Sequence, residues 1–441
     1  MNFEETNRYL FGLGHETLTL KLGLRNTKLL LESLGNPHKS FASLQIAGTN
    51  GKGSTAVVLD SICRDAGINT GLFTSPHLIS VTERIRIDGN EISQDSFAEY
   101  ASEVRVAAES LVNRRKLDAL PTFFEHITAI SLLAFKNAGI TLAILETGLG
   151  GRLDATTVAG AEIVAITPLA LDHQEHLGET LEEIAGEKAA IIRRGVTAII
   201  AAQPPPALDV ILRRCAECDV QPSVDECRSV IENATTDGRF RVTFETKQGQ
   251  YENVLLGLRG RHQIVNVAVA IRLAESLRRQ GFEIPTQSIV RGIETARHPG
   301  RLELVEGQPS LLLDGAHNPS GAQALREFLD EFVHVPLTLV FGAMRDKKLD
   351  EIAAILFPAA RHLVLTEPNN LRAARVADLH RLAATIGDQK NSLAAPSVSE
   401  ALRQAKNVTP HDGLICITGS LYLVGEVKAI LNSTLLSKVA S

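Results

Sequence analysis

The stretch Gln45-Ile46-Ala47-Gly48-Thr49-Asn50-Gly51-Lys52-Gly53-Ser54-Thr55 joins an apolar strand, predicted over Ser43 to Ala47, to a helix opening near Lys52. Glycines at 48, 51 and 53 let the backbone turn tightly and aim amide N–H groups inward. Lys52 adds a mobile positive charge, and the helix presents its N-terminus to an anion. This is a cradle for nucleotide phosphates, with ATP the expected guest. The loop is a shortened one: the first glycine of the usual pattern would fall on Ile46, and Gly53 intervenes before the hydroxyl residues. A glycine-rich turn without a ligand would not require Thr49, Asn50, Lys52 and Ser54 on its polar side.

At 441 residues the chain exceeds what one core usually supports, so two domains are expected. Apolar residues make up 44% and charged residues 22%, as in an ordinary globular protein. The net charge of −6, with no basic stripe, argues against a nucleic-acid partner but not against a small anion in a local pocket. No apolar run reaches membrane-spanning length, and Met1-Asn2-Phe3-Glu4-Glu5 lacks the basic and apolar start of a signal peptide. A cytoplasmic location without a membrane partner is therefore expected. Five cysteines make no disulfide framework. Cys215 and Cys218 form a CxxC followed by Cys227, but no fourth zinc ligand stands at useful spacing, and a helical pattern over Ala207 to Cys218 places both on one semi-buried face.

Strands and helices alternate along most of the chain, which predicts an α/β fold with parallel sheets and helical crossovers. Strands are expected at Thr70 to Phe73, Leu142 to Leu145 and Ile163 to Ile166, a hairpin around Arg84 to Asp88, and helices at Ser93 to Arg115, Thr122 to Asn137 and Leu181 to Arg193. Arg228 to Leu258 reads as a small antiparallel excursion, followed by helices at Ile264 to Gln280 and Gln287 to Ala296. His298-Pro299-Gly300 stops a helix and is the best boundary. It divides the chain into an ATP-binding domain, 1–297, with a central, mostly parallel sheet, and a smaller Rossmann-like domain, 298–441. The latter shows strands at Ser310 to Leu313, Leu337 to Phe341, His362 to Leu365 and Gly413 to Thr418.

Other polar clusters sit at strand ends or in glycine-rich turns, where a ligand is met in such folds. In Thr74-Ser75-Pro76-His77 a hydroxyl can ligate Mg²⁺ or merely cap the turn. Glu146, before Thr147-Gly148-Leu149-Gly150-Gly151, places a carboxylate at the end of a buried strand, a costly choice unless a metal compensates it. Asp172-His173 offers either an imidazole contact to metal or phosphate, or a loop-stabilising pair. Lys188 stands among Ala185, Ala189 and Ala190, which suggests a tight spot, although a solvated surface lysine is the simpler expectation. In Asp314-Gly315-Ala316-His317-Asn318-Pro319, turn chemistry explains Gly, Asn and Pro but not Asp and His together.

Taken in order from residue 40 to 425, these motifs, with Glu187-Lys188-Ala189 and Thr418-Gly419-Ser420-Leu421-Tyr422, resemble those of folylpolyglutamate synthases and bifunctional dihydrofolate synthases of the Mur ligase superfamily. Thr157 departs from the pattern, which usually has Asn after Ala155-Thr156.

The resemblance implies an ATP-dependent ligase joining the amine of L-glutamate to the carboxylate of dihydropteroate or a reduced folate through an acyl phosphate. By the family pattern Gly51, Lys52, Gly53 and Ser54 hold the triphosphate, and Asn266, Arg301 and Asp314 contact the nucleotide. Ser75, Glu146 and His173 match the Mg²⁺ ligands, for one or two ions, and Lys188 matches a lysine that reaction with CO₂ turns into a carbamate. His317, Ser420 and Tyr422 match the region receiving glutamate; Thr122, Phe123, Phe124 and Glu125, with Leu153, Asp154 and Ala155, match the pterin side, where an aromatic pair can stack on the ring. Lys52, Lys188, His173 and His317 would carry the chemistry. Gly151-Arg152-Leu153-Asp154-Ala155 resembles the form in bifunctional members. A monomer is expected. The rivals are another Mur-type amino-acid ligase and a non-catalytic nucleotide-binding regulator, although the latter lacks a base-reading Asn-Lys-x-Asp.

Overall fold

The computed structural model describes residues 1–14, 23–386 and 392–439. Strands β1 (Ala42–Ala47), β2 (Thr70–Phe73), β3 (Ile85–Ile87), β4 (Asn90–Glu91), β5 (Leu142–Glu146), β6 (Ile163–Ile166), β7 (Thr197–Ile200) and β8 (Ser223–Val224) form one sheet, ordered β4-β3-β2-β5-β1-β6-β7-β8. From β2 to β8 all pairings are parallel, and β3 and β4 add an antiparallel edge. The central strands are apolar on both faces because helices cover both. Leu142 and Ile144 pack with the Lys52–Asp65 and His262–Arg279 helices, while Ala143 and Leu145 pack with the Gln94–Asn113 and Phe123–Asn137 helices.

Strands β9 (Arg228–Ala234), β10 (Phe240–Thr246) and β11 (Gly249–Leu255) make the expected antiparallel sheet. Strands β12 (Glu303–Val305), β13 (Ser310–Leu313), β14 (Leu337–Phe341), β15 (His362–Thr366), β16 (Ser392–Ala395) and β17 (Leu414–Thr418) form a mixed sheet ordered β12-β13-β17-β14-β15-β16. Only β12 runs antiparallel to its neighbour. Periodicity missed β12, whose residues are only partly buried, and β16, of which only Ala395 is buried, so that neither shows an unbroken buried apolar run. The helix expected over Leu181 to Arg193 ends at Ala189, with Ala190 as its cap. Ile191 and Ile192 continue the apolar pattern only because they enter the core from a loop.

This topology gathers polar residues on one edge of each parallel sheet. The loops leaving β1, β5 and β6 lie side by side, as do those leaving β13, β14, β15 and β17, and the two sets border common cavities. Cys215 and Cys218, by contrast, are buried in the apolar cluster beside β7.

The helix of the phosphate loop is pressed against the Thr286–Thr295 helix, where a Cβ on Gly292 would stand 2.4 Å from Ile62 Cα. Gly292→Ala should therefore cost about 1–3 kcal/mol, as overpacking of a rigid contact does. Urea unfolding measures it, and unchanged stability would show that the contact yields.

Candidate active site

The phosphate loop is shaped by close approaches that only glycine permits. Gly48 has φ 152°, and a Cβ there would fall 1.8 Å from Thr167 Oγ1; Gly51 has φ 87°, and its Cβ would fall 2.1 Å from Asn266 Oδ1. Two lysines converge on the loop. Lys52 Nζ donates to the Gly48 and Thr49 carbonyls, each at 3.2 Å, and Lys188 Nζ donates to the same Gly48 carbonyl at 2.8 Å. Lys188 is buried, not a surface residue, and burial together with the Lys52 charge pushes its amine down to about 7.

Glu146 ends β5 inside the same cavity, and its Oε2 accepts the Ser75 N–H at 3.0 Å. Burial raises its carboxyl above the usual range, against Lys52, the Ser75 amide, Arg301 and Arg84. Ser75, Glu146 and His173 all border this cavity of about 270 Å³, with the loop, Asn266, Arg301 and Asp314. Among the described residues no three His, Cys, Asp or Glu side chains are gathered as a metal site. A hydroxyl, a carboxylate and an imidazole do fit Mg²⁺, which takes few protein ligands when phosphate oxygens and waters supply the rest. His173 sits in the left-handed region, φ 51°, and burial drives its imidazole down to about 3, so it is neutral.

Across the cleft, Asp172 receives Lys347 Nζ at 2.6 Å, Asn318 Nδ2 at 3.0 Å and His317 Nε2 at 3.5 Å. Burial opposes its charge, but the His317 contact, His173 and Lys347 prevail and hold the carboxyl well below the usual range. Asn318 also donates to Asn50 Oδ1 at 3.1 Å, linking this cluster to the phosphate loop.

A second cavity, about 170 Å³, is bordered by Thr122, Phe124, Glu125, Leu153, Asp154 and Ala155 on one side and by His317, Ser420 and Tyr422 on the other. Phe123 is the exception to the expected site. It points into the core, 3% exposed, stacked on Phe11 at 5.6 Å with the Arg84 guanidinium 5.3 Å from its ring. Adjacent helical residues diverge by about 100°, so the two phenylalanines cannot share one face, and only Phe124 is left to meet a ring. Gly148 makes room for it, since a Cβ there would lie 2.5 Å from Phe124 Cζ.

Several expected contacts prove to be loop organisers as well. Asp154 accepts the Gly148 and Leu149 amides at 2.8 and 3.1 Å and the Thr156 amide at 3.0 Å. Asp314 accepts the Ala316 and Leu302 amides, both at 2.9 Å. Glu125 caps its helix by accepting Thr122 N–H at 2.7 Å, and Ser420 Oγ accepts Leu423 N–H at 3.1 Å. Thr157, the departure from the family pattern, accepts from Gln45 Nε2 at 2.9 Å and donates to the Gly151 carbonyl at 2.8 Å. It ties the glycine-rich turn to β1.

The fold and this cleft, with a phosphate loop on one sheet edge and a second sheet closing over it, are those of a Mur-type ligase. Residues 46–274 match the family model described as "Mur ligase middle domain", and residues 300–421 match "Mur ligase, glutamate ligase domain". A Bacillus subtilis dihydrofolate synthase/folylpolyglutamate synthase is 35% identical over 415 residues, 93% of this chain and 95% of that protein. The chain belongs to the folylpolyglutamate synthase and dihydrofolate synthase family. It spans about half of a Haloferax volcanii relative named "Probable bifunctional folylpolyglutamate synthase/dihydropteroate synthase", at 33% identity over 437 residues, 97% of this chain and 50% of that one. Among solved structures, Mycobacterium tuberculosis folylpolyglutamate synthase complexed with ADP and AMPPCP superposes with a TM-score of 0.90 at 30% identity, covering 97% of this chain and 98% of that one. A structure described as "E.coli FolC in complex with DHPP and ADP" superposes with a TM-score of 0.87 at 29% identity, covering 98% of each.

The motif reading missed His298, Lys347 and Arg372. His298 was legible only as part of a helix stop, yet its Nδ1 lies 3.1 Å from Ser54 Oγ, and its ring packs over Gly53, whose Cβ would come within 3.0 Å of it. Lys347 stands in Arg345-Asp346-Lys347-Lys348 just beyond β14, a strand end that could have flagged it. His298→Ala should weaken ADP binding by up to about tenfold, the worth of one such hydrogen bond. His298→Asn, which keeps an acceptor at the same reach, should restore most of it. Calorimetry with ADP decides; unchanged affinity in the alanine variant would show that the contact does not set the loop.

Proposed function

We propose that the chain ligates L-glutamate to a folate-type carboxylate at the expense of ATP, with 1–297 and 298–441 as the two domains that close on the substrates. The observation that carries this reading is a convergence of three cavities on two histidines. His173 and His317 border the phosphate-loop cavity, the Phe124 cavity and a third cavity of about 350 Å³. A three-substrate ligase needs such a junction: ATP beside the lysines, the acceptor against Phe124, and the amine donor opposite.

A carboxylate is a poor electrophile in water. Its oxygen attacks the γ-phosphorus of ATP, the bond to ADP breaks with its electron pair on ADP, and an acyl phosphate forms. The glutamate nitrogen then attacks the acyl carbon, loses a proton, and the C–O bond breaks to release phosphate. Positioning and charge stabilisation do most of the work. Lys52 holds the transferring phosphoryl group, Gly51, Gly53 and Ser54 cradle the triphosphate, and Asn266, Arg301 and Asp314 border the nucleotide. Ser75, Glu146 and His173 would hold Mg²⁺, which neutralises phosphate charge when bound. The neutral His173 offers a lone pair rather than a proton. Thr122, Phe124, Leu153 and Ala155 line the pterin side, and His317, Ser420 and Tyr422 the glutamate side. Dual action on dihydropteroate and reduced folate fits one cleft, since both present a carboxylate beyond a pterin and a benzoyl ring.

Lys188 is proposed to act as a carbamate. Only a neutral amine attacks CO₂, and an amine near 7 is mostly neutral slightly above that pH. Activity that depends on bicarbonate should therefore be present above pH 7 and fall as pH drops below it. Lys188→Ala should abolish turnover, with partial rescue by short carboxylates; full activity of that variant would refute the role. Glu146→Gln should cut turnover by orders of magnitude while leaving the melting temperature intact, and a collapsed melting temperature would make Glu146 structural instead.

Phosphate release measured with ATP, Mg²⁺, glutamate and either dihydropteroate, a reduced folate or a UDP-linked peptide tests the whole reading. Release with both pteridines is expected. Glutamate incorporation into reduced folate alone would leave a polyglutamate synthase, and release only with the peptide would make this another Mur-type ligase.

A further inference from the structure

In β1 the buried apolar residues Leu44 and Ile46 flank Gln45, which is equally buried but carries an amide. Its Nε2 donates to Thr156 Oγ1 and to Thr157 Oγ1, each at 2.9 Å. With both protons of that nitrogen spent on hydroxyl oxygens, each hydroxyl is left to donate onward. Thr156 Oγ1 donates to Asp154 Oδ1, and Thr157 Oγ1 to the Gly151 carbonyl at 2.8 Å. Asp154 in turn accepts the Gly148, Leu149 and Thr156 amides. One side chain of β1 thus fixes the whole turn 148–157. Turning its amide over would draw both hydroxyls to the amide oxygen and strip Asp154 and Gly151 of those donors.

The network has a cost. Gln45 Oε1 is buried and meets no donor among the described residues, and an unpaired buried acceptor is destabilising. A leucine or methionine would fill β1 without that penalty, so stability alone does not account for the glutamine. What it holds does. The turn supplies Gly148, Leu149, Leu153, Asp154 and Ala155 to the wall of the Phe124 cavity, and Gly148 and Leu149 border the phosphate-loop cavity as well. With the reacting carboxylate at the γ-phosphate, dihydropteroate reaches back along this wall with its rings alone. A reduced folate interposes a glutamyl unit, whose amide and α-carboxylate give it further polar contacts. The shorter acceptor therefore draws more of its binding from the turn.

We infer that Gln45 and Thr157 are positioning residues that set the use of dihydropteroate: by clamping the turn to β1 they hold Leu153 and Ala155 against the rings of the shorter acceptor. The inference rests on the ligase reading above and gives neither residue a contact with substrate.

Thr157→Val keeps the shape of the side chain and removes the hydroxyl, whereas Thr157→Ser keeps the hydroxyl. Gln45→Met removes the amide at similar length, and carries the test should Thr157→Val fail to fold. Calorimetry on the ADP-loaded protein should show dihydropteroate bound about tenfold more weakly by Thr157→Val and by Gln45→Met, the worth of one tethering hydrogen bond. Affinity for a reduced folate and for ADP should stay within about twofold of wild type, and Thr157→Ser should match wild type throughout. In turnover the same two variants should raise KM for dihydropteroate with little change in kcat. Equal losses for both acceptors, or a serine variant as weak as the valine one, would make the network merely structural. Unchanged dihydropteroate binding in the folded variants, or a wild type that binds none, would overturn the inference as well. The ligase reading fails separately: a wild type that binds both pteridines but releases no phosphate with either sinks that reading, while calorimetry still reads the clamp.

Discussion

The site depends on the buried carboxylate of Asp172. It stands beyond β6 of the first sheet; the His173 N–H of its own loop donates to it, and the side chains that satisfy it most closely, Lys347, His317 and Asn318, come from loops of the second sheet. With both Asp172 and Lys347 less than a tenth exposed, losing either would leave an uncompensated buried charge, at a cost of about 3–5 kcal/mol. The contact therefore sets how the second sheet meets the phosphate loop. Through Asn318 and Asn50 it extends into the loop itself. His173, next in sequence, takes its left-handed backbone at this junction and so turns toward all three cavities.

A second constraint works at closer range. Two lysines share the Gly48 carbonyl, and the loop can bring them together only because Gly48 and Gly51 pass where a Cβ would collide with Thr167 and Asn266. Like charges in a poorly solvated spot lower each other's affinity for protons. Lys188 is buried beside Lys52, and its lowered affinity for a proton follows from that packing, not from any property of lysine. Glu146 shows the complementary case of a carboxylate whose burial raises its pKa among cations too distant to pair with it fully.

Much of this was legible beforehand. The phosphate loop, the strands flanking it and the polar strand ends at 146, 172 and 314 are local signals, since a buried strand that stops at a charged or glycine-rich residue marks a ligand-facing edge. Ser75, Glu146, His173 and Lys188 do fall around one cavity. Phe123 fails because side-chain direction on a helix depends on which face the sheet covers. Asp154 and Asp314 fall in place, yet their oxygens are taken up by backbone amides, which no spacing reveals.

The sequence by itself determined the α/β class, the nucleotide cradle and the family, because each rests on contiguous runs in which apolar periodicity or turn chemistry dictates the local backbone. Tertiary structure decided the rest. The pairing of Asp172 with Lys347 and the reach of His298 to Ser54 join positions separated by 175 and 244 residues. Burial and distance in three dimensions, which set both the energy of a charge and its availability to a ligand, are not written in any short stretch of chain.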